Sequence, residues 1–131
     1  MRDGRNGELL HVHSERVGTA TVVYVEGEVD LSTQGILARE LASPCGDIIV
    51  DLAGCTYLSA RGFDLLDRVA AQCQERSRTL TLVRIPPHLR RIFALLTTSA
   101  PIPTAQSIEE ALPILAPNNT EPTLEASRGV S

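Results

Sequence analysis

The most constraining stretch of the chain is Asp47-Ile48-Ile49-Val50-Asp51-Leu52, an apolar run between Gly46 and Gly54. It is too brief for a helix and rich in β-branched residues, so it reads as a central strand. Neighbours for it lie on both sides in sequence. Thr21-Val22-Val23-Tyr24-Val25-Glu26-Gly27-Glu28-Val29 is β-branched and mostly apolar, as expected of a strand covered on one or both faces. Leu9 to Glu15 sets Leu10 and Val12 against His11 and His13, the alternation of a half-buried first strand, and Val17-Gly18-Thr19-Ala20 reads as a turn. Thr79-Leu80-Thr81-Leu82-Val83 alternates as a fourth strand, and Ile102 suggests a very short fifth between Pro101 and Pro103.

Helical segments separate these strands. Asp30-Leu31-Ser32-Thr33 offers caps for a short helix through Ile36, Leu37 and Leu41, which Ser43-Pro44 ends. Ser59 can cap the next, where Phe63, Leu66, Val69, Ala70 and Cys73 recur at helical spacing. Pro87 suits the first turn of a third helix with Leu89, Ile92, Phe93 and Leu96 on one face. Ser107-Ile108-Glu109-Glu110 opens a last one with acid in its favourable first turn, and Pro113 is expected to cut it short. Strands alternating with helices predict an α/β fold: a mixed sheet with helices on at least one side.

A chain of 131 residues is one domain's worth of sequence. Residues 1–8 carry too much Gly, Asn and charge for a core and are expected to form a flexible lead-in. Residues 116–131 mix Pro, Asn, Thr, Ser and Gly without an apolar period and are expected to be a disordered tail. The folded domain is therefore expected over residues 9–115. No apolar stretch reaches the roughly 18–20 residues that span a bilayer, so membrane insertion is not expected. The formal net charge of -4 and the scarcity of aromatics argue against direct nucleic-acid binding, which needs clustered positive charge and stacking platforms. Cys45, Cys55 and Cys73 are an odd set without metal-ligand spacing, and no secretory signal pattern precedes them, which points to a reduced, cytoplasmic setting.

Two segments carry a resemblance. Val25-Glu26-Gly27-Glu28-Val29-Asp30-Leu31-Ser32-Thr33 and Val50-Asp51-Leu52-Ala53-Gly54-Cys55-Thr56-Tyr57-Leu58-Ser59-Ala60-Arg61-Gly62-Phe63 resemble the STAS domain family, most closely its bacterial anti-sigma factor antagonists. The resemblance implies a four- or five-stranded mixed sheet with four helices mainly on one side. It also implies a non-enzymatic role: binding an anti-sigma factor, usually a serine kinase with a histidine-kinase-like ATP fold, and so freeing a sigma factor. Weak homodimerisation is a further expectation, and no cofactor or metal is expected. In the family the kinase phosphorylates the serine just before the motif glycine. Gly62 matches that glycine, Ser59 falls on the motif aspartate, Ala60 on the first serine and Arg61 on the phosphorylated serine. Arginine has no hydroxyl to phosphorylate, and it places positive charge where phosphate would bring about -1.5 to -2.

The partner-binding surface implied by the resemblance comprises Asp30, Ser32, Thr33, Ser59, Ala60, Arg61, Gly62 and Phe63. Each also has a local reading. Ser59 is an alternative phosphoacceptor or a helix cap. Arg61 is an interface group or a solvated side chain working slightly against the helix dipole. Asp30 orients the loop, contacts a partner, or serves as the N-terminal carboxylate of the short helix, a capping role for which Ser32 and Thr33 compete. Asp51 borders a buried strand and reads as a structural acceptor of loop N–H groups.

Other classes compete. An enzyme finds no nucleophile elbow, phosphate-binding loop or dinucleotide fingerprint in the chain, and His11 and His13 would supply at most two metal ligands. A thiol-regulated module would pair Cys55 with Cys45 or Cys73. STAS modules also serve in transporter tails, sensory complexes and lipid-transport assemblies.

Overall fold

The computed structural model describes residues 9–95 and 102–115. The expected flexible ends, 1–8 and 116–131, lie outside that range, as does Leu96. Nine elements follow in order: β1 (Leu10–Val17), β2 (Ala20–Val29), α1 (Gln34–Ala42), β3 (Asp47–Leu58), α2 (Ala60–Glu75), β4 (Leu80–Val83), α3 (Pro87–Leu95), β5 (Thr104–Ala105) and α4 (Ile108–Leu115). The strands form one five-stranded sheet in the order β1-β2-β3-β4-β5. β1 and β2 are an antiparallel hairpin, and β2, β3, β4 and β5 run parallel. Gly18, at φ 63°, turns the hairpin in the left-handed backbone region that glycine enters without steric cost.

The topology decides where the helices go. Each parallel strand lies beside the preceding one, so α1, α2 and α3 all cross over in the same direction, and the right-handed rule puts them on one face. Their buried residues Leu37, Leu41, Phe63, Leu66, Cys73 and Leu89 join Val23, Val25, Val50 and Leu82 of the sheet in a single core. α4 follows the last strand and covers the opposite face, where Ala111 packs with Ala20, Val22, Ile49 and Val83.

β1 runs on to Val17 where the sequence suggested Glu15, and three further boundaries differ from expectation. β3 continues to Leu58 instead of ending at Leu52, because pairing with β2 survives two register shifts, between Tyr24 and Glu26 and between Gly27 and Glu28. The extra residues carry it past Gly54, whose open backbone lets it approach Glu26: a Cβ there would lie 2.9 Å from Glu26 Cγ. The fifth strand is Thr104–Ala105 rather than Ile102, because Pro103 has no N–H to give; its carbonyl accepts from Leu82 N at 2.9 Å and pairing begins beyond it. α4 runs past Pro113 to Leu115, where the packing of Ile108, Ala111 and Leu112 on the sheet outweighs the lost backbone bond.

Candidate functional site

The C-terminal ends of β2 and β3 lie side by side, and the chain leaves each into a helix. Val29 is opposite Leu58, and Ser59 N donates to the Val29 carbonyl at 2.9 Å. The segments Asp30–Thr33 and Ser59–Phe63 therefore meet at one edge of the domain, as the shared surface requires.

Each segment is held by its own short-range bonds. Asp30 Oδ1 accepts from Ser32 N at 2.9 Å, Ser32 Oγ at 2.8 Å and Thr33 N at 3.1 Å. The Asp30 carbonyl accepts from Gln34 N at 2.8 Å, so this residue closes the turn that opens α1. Thr33 occupies the N-cap position, but its hydroxyl makes no cap bond; it donates instead to the Glu28 carbonyl at 2.7 Å and accepts from Asp30 N at 2.9 Å. None of the three residues that competed for the role therefore gives α1 a side-chain cap; the carboxylate instead ties down the turn that precedes the helix. Its pKa is lowered, first by the Ser32 hydroxyl, against an opposing desolvation, and further by the Thr33 donors and Ser32 N.

Ser59 caps α2. Its backbone is extended, at φ -74° and ψ 168°, and its Oγ accepts from Gly62 N at 3.1 Å. Gly62 is required by close packing: a Cβ there would stand 2.6 Å from Leu58 Cδ1 and 2.8 Å from Val29 Cγ1. The glycine lets the first turn of α2 sit down on the strand ends, and the next residue, Phe63, is buried with its ring centre 5.0 Å from that of Phe93 and tilted by 54°.

Burial sorts the expected surface into two groups. Ser32, Ala60 and Arg61 are exposed, and Asp30 and Ser59 are half-buried. Thr33, Gly62 and Phe63 are buried, so they shape the surface from beneath rather than touch anything docked on it. Two residues that motif reasoning passed over stand out beside them. Leu31 is 68% exposed between Asp30 and Ser32, and Tyr57 is 49% exposed just before Leu58. An isolated apolar residue inside a polar turn was the signal for Leu31. Tyr57 gave none, because the register shifts that turn it outward are not readable from the sequence.

Cys55 is fully buried, its Sγ 3.4 Å from the Tyr57 carbonyl, and burial pushes its thiol pKa up. That keeps its sulfur from direct contact with a soluble oxidant. Asp51 is structural: Oδ1 accepts from Ala53 N at 2.9 Å, and Oδ2 takes Arg84 Nε at 3.0 Å and Nη2 at 2.6 Å. His13 stacks on Tyr24 with ring centres 4.8 Å apart. Among the described residues no group of three or more His, Cys, Asp or Glu is placed to hold a metal ion, and no helix is long and apolar enough to cross a membrane.

Comparison with known proteins follows this geometry. The family model described as Mlab, STAS domain matches residues 12–100. No curated protein matches the chain significantly. Among solved structures, an anti-sigma factor antagonist from Mycobacterium paratuberculosis superposes with a TM-score of 0.71 at 21% identity, covering 81% of this chain and 93% of that one. One described as a putative anti-sigma factor antagonist from Thermotoga maritima gives a TM-score of 0.72 at 11% identity over 79% and 93%. The Bacillus cell fate determinant SpoIIAA in its phosphorylated form gives 0.61 at 17% identity over 77% and 96%. The family match spans most of the folded chain, and the sheet order, the crossover helices and the paired loops at the strand ends agree with it: the chain belongs to the STAS domain family.

Proposed function

We propose that this STAS domain is a non-enzymatic anti-sigma factor antagonist, which binds an anti-sigma factor through the surface formed by Asp30–Thr33 and Ser59–Phe63 and so frees a sigma factor. One observation carries the reading. Arg61 is exposed in the first turn of α2, where the resemblance places the family's phosphorylated serine, and Leu31 and Tyr57 are exposed on the segments that lead to the same edge. Tyrosine and arginine are residue types enriched in protein-binding hot spots. The partner this favours is a serine kinase of histidine-kinase-like ATP fold, held without the phosphate brake because Arg61 cannot accept phosphate. A permanent positive charge also favours a carboxylate on the partner.

The test is capture of partners from the native host, followed by titration of the purified partner. An anti-sigma factor should copurify, and Arg61→Glu should weaken binding tenfold or more, roughly the loss of one interfacial charge pair. Unchanged affinity would remove Arg61 from the interface. Incubation with the kinase should leave the wild-type chain unmodified, and phosphate found on Ser59 would overturn that part of the reading.

A second reading has its own support. Lipid-transport assemblies are among the settings in which STAS modules serve, and the matching family model is described as Mlab, STAS domain. Capture of membrane transport subunits alone would establish this role in place of the first.

A further inference from the structure

At the end of the domain away from the candidate site, α1 and α2 terminate over a groove of about 380 Å³. Leu41 of α1, Ile48 of β3, Val69 and Cys73 of α2, and Cys45 in the connection before β3 all line it. Two of the three thiols of the chain therefore open on one space, and Cys55 does not.

Their environments differ in a way that suits a pair. Cys45 is exposed, whereas Cys73 is 7% exposed and belongs to the core. Burial first, and then the carboxylate of Asp47, push the Cys73 thiol pKa up, while Arg76 on the groove wall acts in the opposite direction. Cys73 is thus kept as a protonated thiol, and Cys45 is the sulfur that a soluble oxidant meets first. Hydrogen bonds hold their segments together: Arg78 N donates to the Cys73 carbonyl at 2.7 Å, and Thr79 N donates to the side-chain Oδ1 of Asp47, two residues beyond Cys45, at 2.9 Å. The stretch that carries Cys45, between Ala42 and Asp47, has no regular structure, and Gly46 follows Cys45 at φ 140°. This is the part able to adjust to the Cα separation of about 4.4–6.8 Å that a disulfide needs.

We propose that Cys45 and Cys73 form a reversible intramolecular disulfide across this groove, with a peroxide as oxidant. The Cys45 thiolate attacks the O–O bond of hydrogen peroxide, giving a sulfenic acid and, with one proton, water. Cys73 then loses its proton, its sulfur attacks the Cys45 sulfur, and hydroxide leaves and is protonated to a second water. Two thiols and one peroxide become one disulfide and two waters, and a dithiol reductant reverses the change. A transient bond of this kind is compatible with a reducing compartment. It would tie together the far ends of the two helices whose first turns frame the candidate site.

The experiment exposes the full chain to hydrogen peroxide, alkylates it in non-reducing denaturant, and maps the peptides by mass spectrometry. One alkylated thiol, Cys55, and a linked Cys45–Cys73 peptide two hydrogen atoms lighter than its parts are expected, with three thiols restored by dithiothreitol. Cys45→Ser, a change at an exposed position, should leave Cys73 and Cys55 both alkylatable after the same treatment. Three free thiols after peroxide, a bond to Cys55, a bond only between two chains, or over-oxidised Cys45 beside free Cys73 would each overturn the proposal.

Discussion

The two faces of the sheet are made from alternate residues of the same strands, yet they are built differently. On one face, three crossover helices seal an aliphatic core in which Val23, Val25, Val50, Leu66 and Leu82 are almost wholly removed from water. On the other, α4 alone covers Ala20, Val22, Ile49 and Val83, with Val17, Tyr24 and Ala105 only partly buried beside them. There Asp51, only 2% exposed, is paired with a half-exposed Arg84, and the Tyr24 hydroxyl donates to Glu15 at 2.9 Å. Burial and then Glu15 raise the Tyr24 pKa. The difference follows from connectivity. A βαβ crossover delivers a helix to one face for every parallel strand added, whereas the opposite face receives only what the chain has left after the last strand. The candidate site belongs to the sealed face, since α1 and α2 begin at it, and so it rests on a rigid support.

The contrast breaks or sharpens most visibly in the core. Leu66→Ala should cost about 2–5 kcal/mol, toward the upper end, because elements on several sides prevent collapse around the cavity. Val83→Ala on the α4 face should cost less per carbon removed, since one helix can settle. Equal costs per carbon in denaturant melts would abolish the distinction. Next is Gly62→Ala, whose added Cβ meets Leu58 and Val29 and should cost about 1–3 kcal/mol while lifting α2 off the strand ends. Partner affinity falling with stability would tie the site to this packing.

On the α4 face, Arg84→Ala strands the buried Asp51 carboxylate and should cost about 1–2 kcal/mol, the half-exposed guanidinium being partly screened by water. Arg84 itself lies at φ 53°, in the left-handed region, so Arg84→Gly should recover part of that loss by relieving the backbone. A double mutant with Asp51→Asn that restores stability would identify the stranded charge as the cause. Ser59→Ala should cost about 1 kcal/mol through the lost cap on α2, seen as earlier exchange of the Gly62 amide.

The smallest effect lies in the Asp30 turn. Its carboxyl pKa is lower folded than unfolded, so the turn is stabilised above the ordinary carboxylate range, and that contribution fades as pH falls through the folded value. An NMR titration should find Asp30 moving back toward its ordinary pKa in Ser32→Ala, because the Ser32 hydroxyl is the largest cause of the lowering.

Much of this architecture was legible from local pattern. The alternation of β-branched runs with amphipathic stretches gives the order of strands and helices, and Ser59 and Ser107 mark the starts of α2 and α4; Ser107 Oγ accepts from Glu110 N at 3.0 Å. Period and capping are short-range properties that a sequence displays directly. The length of β3 was not legible, because it depends on which residues of β2 it faces across two bulges. In the candidate site, the motif positions marked two segments that meet at the strand ends, but their burial did not follow from them. Thr33 looks as available in sequence as Ser32, and only the packing of α1 separates them, whereas Phe63 already fell on the apolar stripe of α2.

By itself the sequence determined that this chain is a small mixed α/β domain of aliphatic core, with paired loops resembling those of STAS domains. Tertiary structure decided which face α4 covers, that Arg84 reaches back to Asp51 across 33 residues, and that Cys45 and Cys73 share a groove while Cys55 does not. Periodicity fixes which side of an element is apolar, but which elements meet is set by strand order and crossover handedness, and these exist only once distant segments have paired.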